Sequence, residues 1–503
     1  MPRTRPRHVL AAAVIALAAM AATDVAITAT SPIADVSARV DAGDFSGAQS
    51  RIDAALAKPD VDANARAELE FQRERMRRIR LDFTLTQDQA KAKLRESIPD
   101  LRDEEFQRWT ASNQLEHLVI DGTPYYFNRS VSNLFRVSPE ALARRATPFQ
   151  RNDGPMENAN AYHDEAVADG RRSGQPSVAP RRVRVTQAIT VDADAVPAGE
   201  AIRAWIPYPR AIEGRQEDIR FLSSAPGTHV ISPEATMQRT VFLEQPAVAG
   251  KPTKFSINYE LTVFGEHHVI DPDKVTSVAD RSELAPYLAQ RPPHIVFTDQ
   301  MRAFSRQVVG DEKNPYRIAQ KLFQAVDRIP WGGAREYSTI PNISDYALHA
   351  GHADCGQQTL LLMALLRLNG IPSRWQSGMV YSDTGYDNLH DWGALYLAPY
   401  GWVPMDVTTG QFKGARDPEV EWFYLGGLDA YRITFNDDYG TDFVPAKRHV
   451  RSETVDSQRG EVEWAGGNLY FDRWDYSFEA KVLPLGDSPG RAATNQSSRG
   501  ERE

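Results

Sequence analysis

The chain holds one cysteine in 503 residues, and that scarcity decides a good deal. A lone thiol closes no disulfide within the chain, so Cys355 serves either packing or chemistry. Charge of one sign is also in short supply. A formal net charge of -9 at this length gives no basic field for a phosphate backbone, which argues against nucleic acid as a partner. After the first residues, no apolar run approaches the roughly 20 residues that span a bilayer, so no integral membrane span is expected once a leader is removed. No acidic loop has calcium-binding spacing. His349, His352 and Cys355 recur every three residues, but a fourth ligand is missing and Gly351 interrupts a helix there, so neither metal nor cofactor is expected.

What is present begins with Arg3, Arg5, Arg7 and His8, followed by an apolar run from Val9 to Ala22 that ends in small residues. This is the pattern of an export signal, read as residues 1–21 with cleavage after Ala21. The protein is therefore expected in the periplasm or outside the cell. An uncleaved anchor is the rival reading, and the run is short for it.

A chain this long exceeds one core and should divide into several domains. Residues 22–145 have helical periodicity, with Ala48, Ile52, Ala55 and Leu56 on one stripe. Near their end, Asp121-Gly122 separates two β-prone runs and predicts a small hairpin. Residues 146–182 are rich in Asn, Asp, Gly, Pro and Ser and read as a linker. Over 183–270 the text turns to alternating strands broken by Pro-Gly turns, the pattern of a β-sandwich. Helices resume near Thr298 and Pro315 and open a region of 295–485 that carries the chemistry; within it, 468–478 reads as a strand. A polar tail, 486–503, is expected to be disordered.

The chemistry centres on His352-Ala353-Asp354-Cys355-Gly356-Gln357, which runs into the leucine-rich stretch Leu360 to Leu368 and stops at Asn369-Gly370. Cys355 therefore heads a buried helix. Backbone N–H groups and the helix dipole there favour thiolate, and the same groups can donate to an oxyanion. A thiolate needs a base, and the base needs something to orient it. Downstream, His390 opens a strand, and Asp406 closes the next one after a turn at Pro399-Tyr400-Gly401. With a hairpin loop of Leu397 to Pro399, His390 and Asp406 face each other directly across the pair. Trp392 and Trp402 read as core residues beside the site, and Tyr337 as loop filling with the oxyanion position as its alternative.

These motifs, in this order, resemble the transglutaminase-like superfamily. The resemblance rests on Ala353-Asp354-Cys355 leading to Arg367-Leu368-Asn369-Gly370-Ile371-Pro372-Ser373-Arg374, then His390-Asp391-Trp392, then Gly401-Trp402-Val403-Pro404-Met405-Asp406, and covers about Arg317 to Gly410. Ala353 stands where glycine is common, and Asp391 and Gly393 replace more usual small and acidic residues around Trp392. The resemblance implies an α+β fold: a papain-like core whose cysteine helix packs on an antiparallel sheet, here preceded by the β-sandwich and the N-terminal helical region. It also implies acyl transfer through a thioester, with Cys355, His390 and Asp406 as the catalytic triad.

The expected activity is that of an exported thiol hydrolase, of peptidase or amidase type, acting on the amide bonds of a peptide or protein substrate. Two alternatives stay open: cross-linking by amine transfer to protein glutamine, and a catalytically inactive binding scaffold.

Overall fold

The computed structural model describes residues 32–148, 154–278 and 281–485. The expected signal at 1–21 and tail at 486–503 lie outside the described residues. Among the described residues, no helix is long and apolar enough to cross a membrane.

The fold is α+β. The N-terminal region is helical, from Pro32–Asp41 through Ala63–Asp82 to Pro139–Ala143, with the hairpin His117–Ile120 and Thr123–Tyr126 between. That hairpin turns where expected: Ile120 pairs with Thr123, and Asp121 and Gly122 take φ of 48° and 83°. The region has two apolar cores of its own, one around Ile52 and Ile79 and the other around Phe106 and Trp109. Polar side chains tie it to the rest. Arg78, almost fully buried, donates to Ser338 Oγ and to the carbonyls of Arg451 and Ser452, and Asn133 pairs with the backbone of Gly333.

The stretch read as a linker contains the helix Ala161–Ser173, started by the Asn160 side chain and ended by Gly174 at φ 64°. Its buried face is Tyr162, His163, Ala166, Val167 and Gly170, residues too small or too polar to register as an apolar stripe although their spacing is helical. A strand, Ser177–Val191, follows directly.

That strand belongs to one of two five-stranded sheets that form the sandwich. In the first, it lies between Thr253–His267 and Trp474–Leu483. In the second, Ala201–Pro207 lies between Thr240–Pro246 and Glu461–Trp464. The sandwich is therefore not a contiguous 183–270 block, because the chain returns after the chemical region to supply strands to both sheets. The segment read as one strand at 468–478 is two, Gly467–Leu469 in the second sheet and Trp474–Leu483 in the first.

A four-stranded antiparallel sheet, in the order Gly401–Met405, Asp387–Leu397, Ser373–Tyr381, Arg432–Asn436, carries the region of interest. The helix Cys355–Leu368 packs on it, with every residue from Gly356 to Arg367 buried. This helix, this sheet and the sandwich share one apolar core.

Candidate active site

Cys355 is the first residue of its helix because Asp354 caps it: the Asp354 carboxylate accepts from Gln357 N–H at 2.9 Å, and Gln357 Oε1 reaches back to Asp354 N–H. This reciprocal cap fixes where the helix begins. The sulfur faces a cleft of about 270 Å³, walled by residues of the 334–337 segment, by Asp391, by Asp456 to Arg459, and by Asp82 and Phe127 to Arg129 of the N-terminal region.

His390 and Asp406 are together. Nε2 of His390 lies 2.8 Å from Asp406 Oδ2, and both side chains are buried. The register that brings them there differs from the expected one. Leu397 pairs with Gly401 and Gly393 with Met405, so the loop is Ala398 to Tyr400 and Asp406 falls beyond the last pair, level with Trp392. Gly401 takes a φ of 81°, a left-handed conformation that suits glycine and lets the chain reverse one residue later. The slip amounts to two positions along the partner strand, which preserves the face and turns a direct pair into a diagonal one.

Arg432, from the far strand, completes this side. It ion-pairs with Asp406 and, at 2.6 Å, with Asp429. Thr409 donates its hydroxyl to Asp406 at 2.6 Å, and the Thr408 and Thr409 N–H groups bond the other oxygen. Burial by itself would raise the Asp406 pKa. The charges of His390 and Arg432 and these hydrogen bonds outweigh it and hold the carboxylate well below its ordinary range.

Cys355 is not part of that group. Among the described residues it has no hydrogen bond to His390. Its Sγ lies 3.1 Å from Oδ2 of Asp391, the next residue on the strand, whose side chain points to the opposite face. Gln458 donates to the second Asp391 oxygen at 2.9 Å and to the His390 carbonyl at 2.7 Å. His390 lines a separate recess of about 10 Å³. The structure thus brings two of the three expected residues together and gives the third a different neighbour.

The expected thiolate is also corrected. Burial pushes the Cys355 thiol well above its ordinary pKa, and the charges of Asp391 and Asp354 push it further. A helix N-terminus contributes about 0.3–1 kcal/mol in favour of an anion, too little to offset desolvation and two nearby carboxyls. Tyr337 donates its hydroxyl to Asp354 at 2.6 Å, so it braces the start of the helix. His349 and His352 have partners of their own, Asp345 and Asn133.

Asp391, Asp456, Gln458 and Arg432 escaped the sequence reading. Only Asp391 had a usable signal: neighbours on a strand point oppositely, so His390 and Asp391 could never both face Cys355.

No curated protein matches the chain by sequence. Residues 302–407 match the family described as the transglutaminase-like superfamily. Among solved structures, a candidate cysteine protease from Cytophaga hutchinsonii aligns at TM-score 0.41 and 14% identity, over 62% of this chain and 94% of its own. The periplasmic domain of TgpA from Pseudomonas aeruginosa aligns at TM-score 0.24 and 15% identity, over 50% of this chain and 92% of its own. A candidate protease from Parabacteroides distasonis aligns at TM-score 0.19 and 10% identity, over 52% of this chain and 68% of its own. Likenesses this loose leave the site to be judged on its own residues.

Proposed function

Since residues 302–407 form a transglutaminase-like core, we propose that the protein is an exported thiol hydrolase that opens amide bonds of peptides or proteins through a thioester on Cys355. The observation that carries this reading is the placement of the chain's one thiol at the first turn of a buried helix, facing a cleft of about 270 Å³. A carboxylate-bound imidazole lies on the neighbouring strand. A structural cysteine would lie within an apolar core; this one faces a polar cavity.

In the proposed reaction Asp406 holds the imidazole through Nε2, which leaves Nδ1 to take the proton from the Cys355 thiol. Nδ1 has no hydrogen bond among the described residues. The sulfur rests against Asp391, whose side chain leaves the strand on the face opposite to the His390 ring, so the cycle begins with a movement that brings sulfur and ring together. The thiolate then adds to the carbonyl carbon. Collapse of the tetrahedral adduct breaks the C–N bond, the leaving amine takes the proton from the imidazolium, and a thioester remains. Water, deprotonated by the imidazole, attacks the thioester and releases a carboxylic acid and the thiol. Residence outside the cytoplasm follows from the basic and then apolar opening, Arg3 to Ala22.

Incubation of the full chain with a peptide mixture, quenched in acid and analysed by mass, should trap an acyl group on Cys355. Cys355→Ala should remove the adduct and the turnover, and His390→Ala should lower turnover by orders of magnitude. Turnover that survives in Cys355→Ala would end the proposal. Incorporation of a labelled primary amine in preference to water would replace hydrolysis with amine transfer.

A further inference from the structure

The partner strand Gly401–Met405 pairs only as far as Gly393. Beyond that point this edge of the histidine strand is open, and the start of the cysteine helix fills it. Both the Asp391 carboxyl and the Asp391 N–H reach the sulfur there. Asp391 is in turn fixed from behind: the Gln458 amide binds its other oxygen, and its carboxyl is hydrogen-bonded to that of Asp456, which takes the hydroxyl of Ser377. Asp391 and Asp456 are 5% and 3% exposed, and neither has a cationic partner within 4 Å among the described residues. Two buried carboxyls in contact cannot both ionise, so they share a proton.

We propose that Asp391 is the positioning residue that stores the nucleophile, accepting the Cys355 S–H and holding the sulfur as a thiol on the side of the strand away from His390. The proposal rests on Cys355 being the nucleophile. A thiolate has no hydrogen to donate and would meet the negative charge that the carboxyl pair retains, which outweighs the single Asp391 N–H that reaches the sulfur, so the arrangement favours the thiol form. Release comes when the sulfur turns to His390, where Asp406 and Arg432 provide an electrostatic setting with a cation in it. Resting inertness and reactivity are thus separated by one strand.

Other ionisable groups face the pair from each surrounding element. The cysteine helix brings Asp354, and the segment over the helix start brings Tyr337 and Glu336 with Arg335. The 453–459 loop brings Glu453 and Arg459, and the N-terminal region brings Asp82 and Arg129. These three arginines sit at the wall and rim, and Arg451 donates to the backbone carbonyl of Asp456; none of the four forms an ion pair with the carboxyl of Asp391 or Asp456.

Because Cys355 is the only cysteine, iodoacetamide alkylation of the full chain from pH 5 to 9, followed by intact mass, reads this thiol alone. It needs no substrate, so its outcome is independent of whether an acyl-enzyme is ever trapped. Asp391→Asn should raise the rate at pH 7 about tenfold or more, the effect of about one unit of thiol pKa, and move the whole profile to lower pH. A merely structural role would not shift the profile. A rate equal to or below wild type in a folded Asp391→Asn protein would overturn the proposal. If that variant does not fold, Asp456→Asn decides. It keeps the Asp391 contact but removes the neighbouring carboxyl whose charge and hydrogen bond hold the Asp391 pKa up, so Asp391 ionises more readily and alkylation should slow; an unchanged or faster rate would overturn the proposal.

Discussion

Asp391 lies on the histidine strand and Asp406 beside it; both are buried, and their pKa values are shifted in opposite directions. On the histidine face, Asp406 and Asp429 share the guanidinium of Arg432, and Asp406 also bonds the His390 imidazole. On the cysteine face, Asp354, Asp391 and Asp456 have no ion-pair partner among the described residues, and burial raises the pKa of all three. Burial is common to both sets; the cation is what differs. One side of the strand is built to hold charge and the other to hold protons, and the thiol lies on the proton-holding side.

The sharpest way to break the contrast is to remove the cation. Arg432→Met strands two buried carboxylates and should cost about 3–5 kcal/mol at neutral pH, read as a lower urea midpoint. The sign with pH follows. Without Arg432 the carboxyls become easier to protonate, so the deficit should shrink as pH falls toward 4. In the wild type the depressed Asp406 and Asp429 stabilise the fold above their unfolded pKa, and that contribution is lost only as pH falls through their lower folded values. A variant equally stable at both pH values would mean that Arg432 does not carry the balance.

None of this polar division was visible in the sequence, for reasons that can be named. The cysteine helix was legible because its signals are local: a polar start, a leucine run and an Asn-Gly stop all lie within the seventeen residues from Asp354 to Gly370. His390 and Asp406 were legible as a pair because two strands and a short turn separate them. Even there, the reading placed the three-residue loop one position too early, which moved the pairing register by two. Arg432 and Asp456 approach from strands and loops that follow the motifs by tens of residues, and no spacing rule points from them to Cys355. The returning strand Glu461–Trp464 was missed, and Trp474–Leu483, read in part as a strand at 468–478, was not connected to the sandwich, since a strand's partner is a long-range fact. Most consequential was the dipole argument at Cys355, which counted the helix N-terminus and omitted burial and the carboxyls of Asp391 and Asp354.

A smaller perturbation tests the proton-holding side. Asp354 rises from an ordinary 3.8 to about 6, through burial and the charge of Asp456. A raised carboxyl binds more protons folded than unfolded, so its penalty on stability grows as pH climbs from about 4 to 6 and is complete above. Asp354→Asn keeps the helix cap and removes that penalty. Its stability relative to wild type should therefore improve across this window by about 2 kcal/mol, two units' worth with a discount for partial exposure. Unfolding in urea at pH 4 and at pH 7 measures it, and a pH-independent difference would place the proton elsewhere in the cluster.

The mildest change tunes the charged side without removing a charge. Thr409 donates to Asp406 Oδ2 at 2.6 Å and accepts from Arg432 at 3.1 Å. Thr409→Val keeps the shape and deletes both bonds, while the Thr408 and Thr409 N–H groups still hold the other carboxylate oxygen. A hydrogen bond to a charged group contributes about 1.5–3 kcal/mol. Arg432 and His390 remain to satisfy Oδ2, so the observed loss should fall below that range, at about 1 kcal/mol in urea. The Asp406 carboxylate, with one donor fewer, should also protonate at a slightly higher pH, so the acid limb of unfolding should begin earlier than in wild type. If Thr409→Val were as damaging as Arg432→Met, the hydroxyl and not the guanidinium would be what keeps Asp406 ionised.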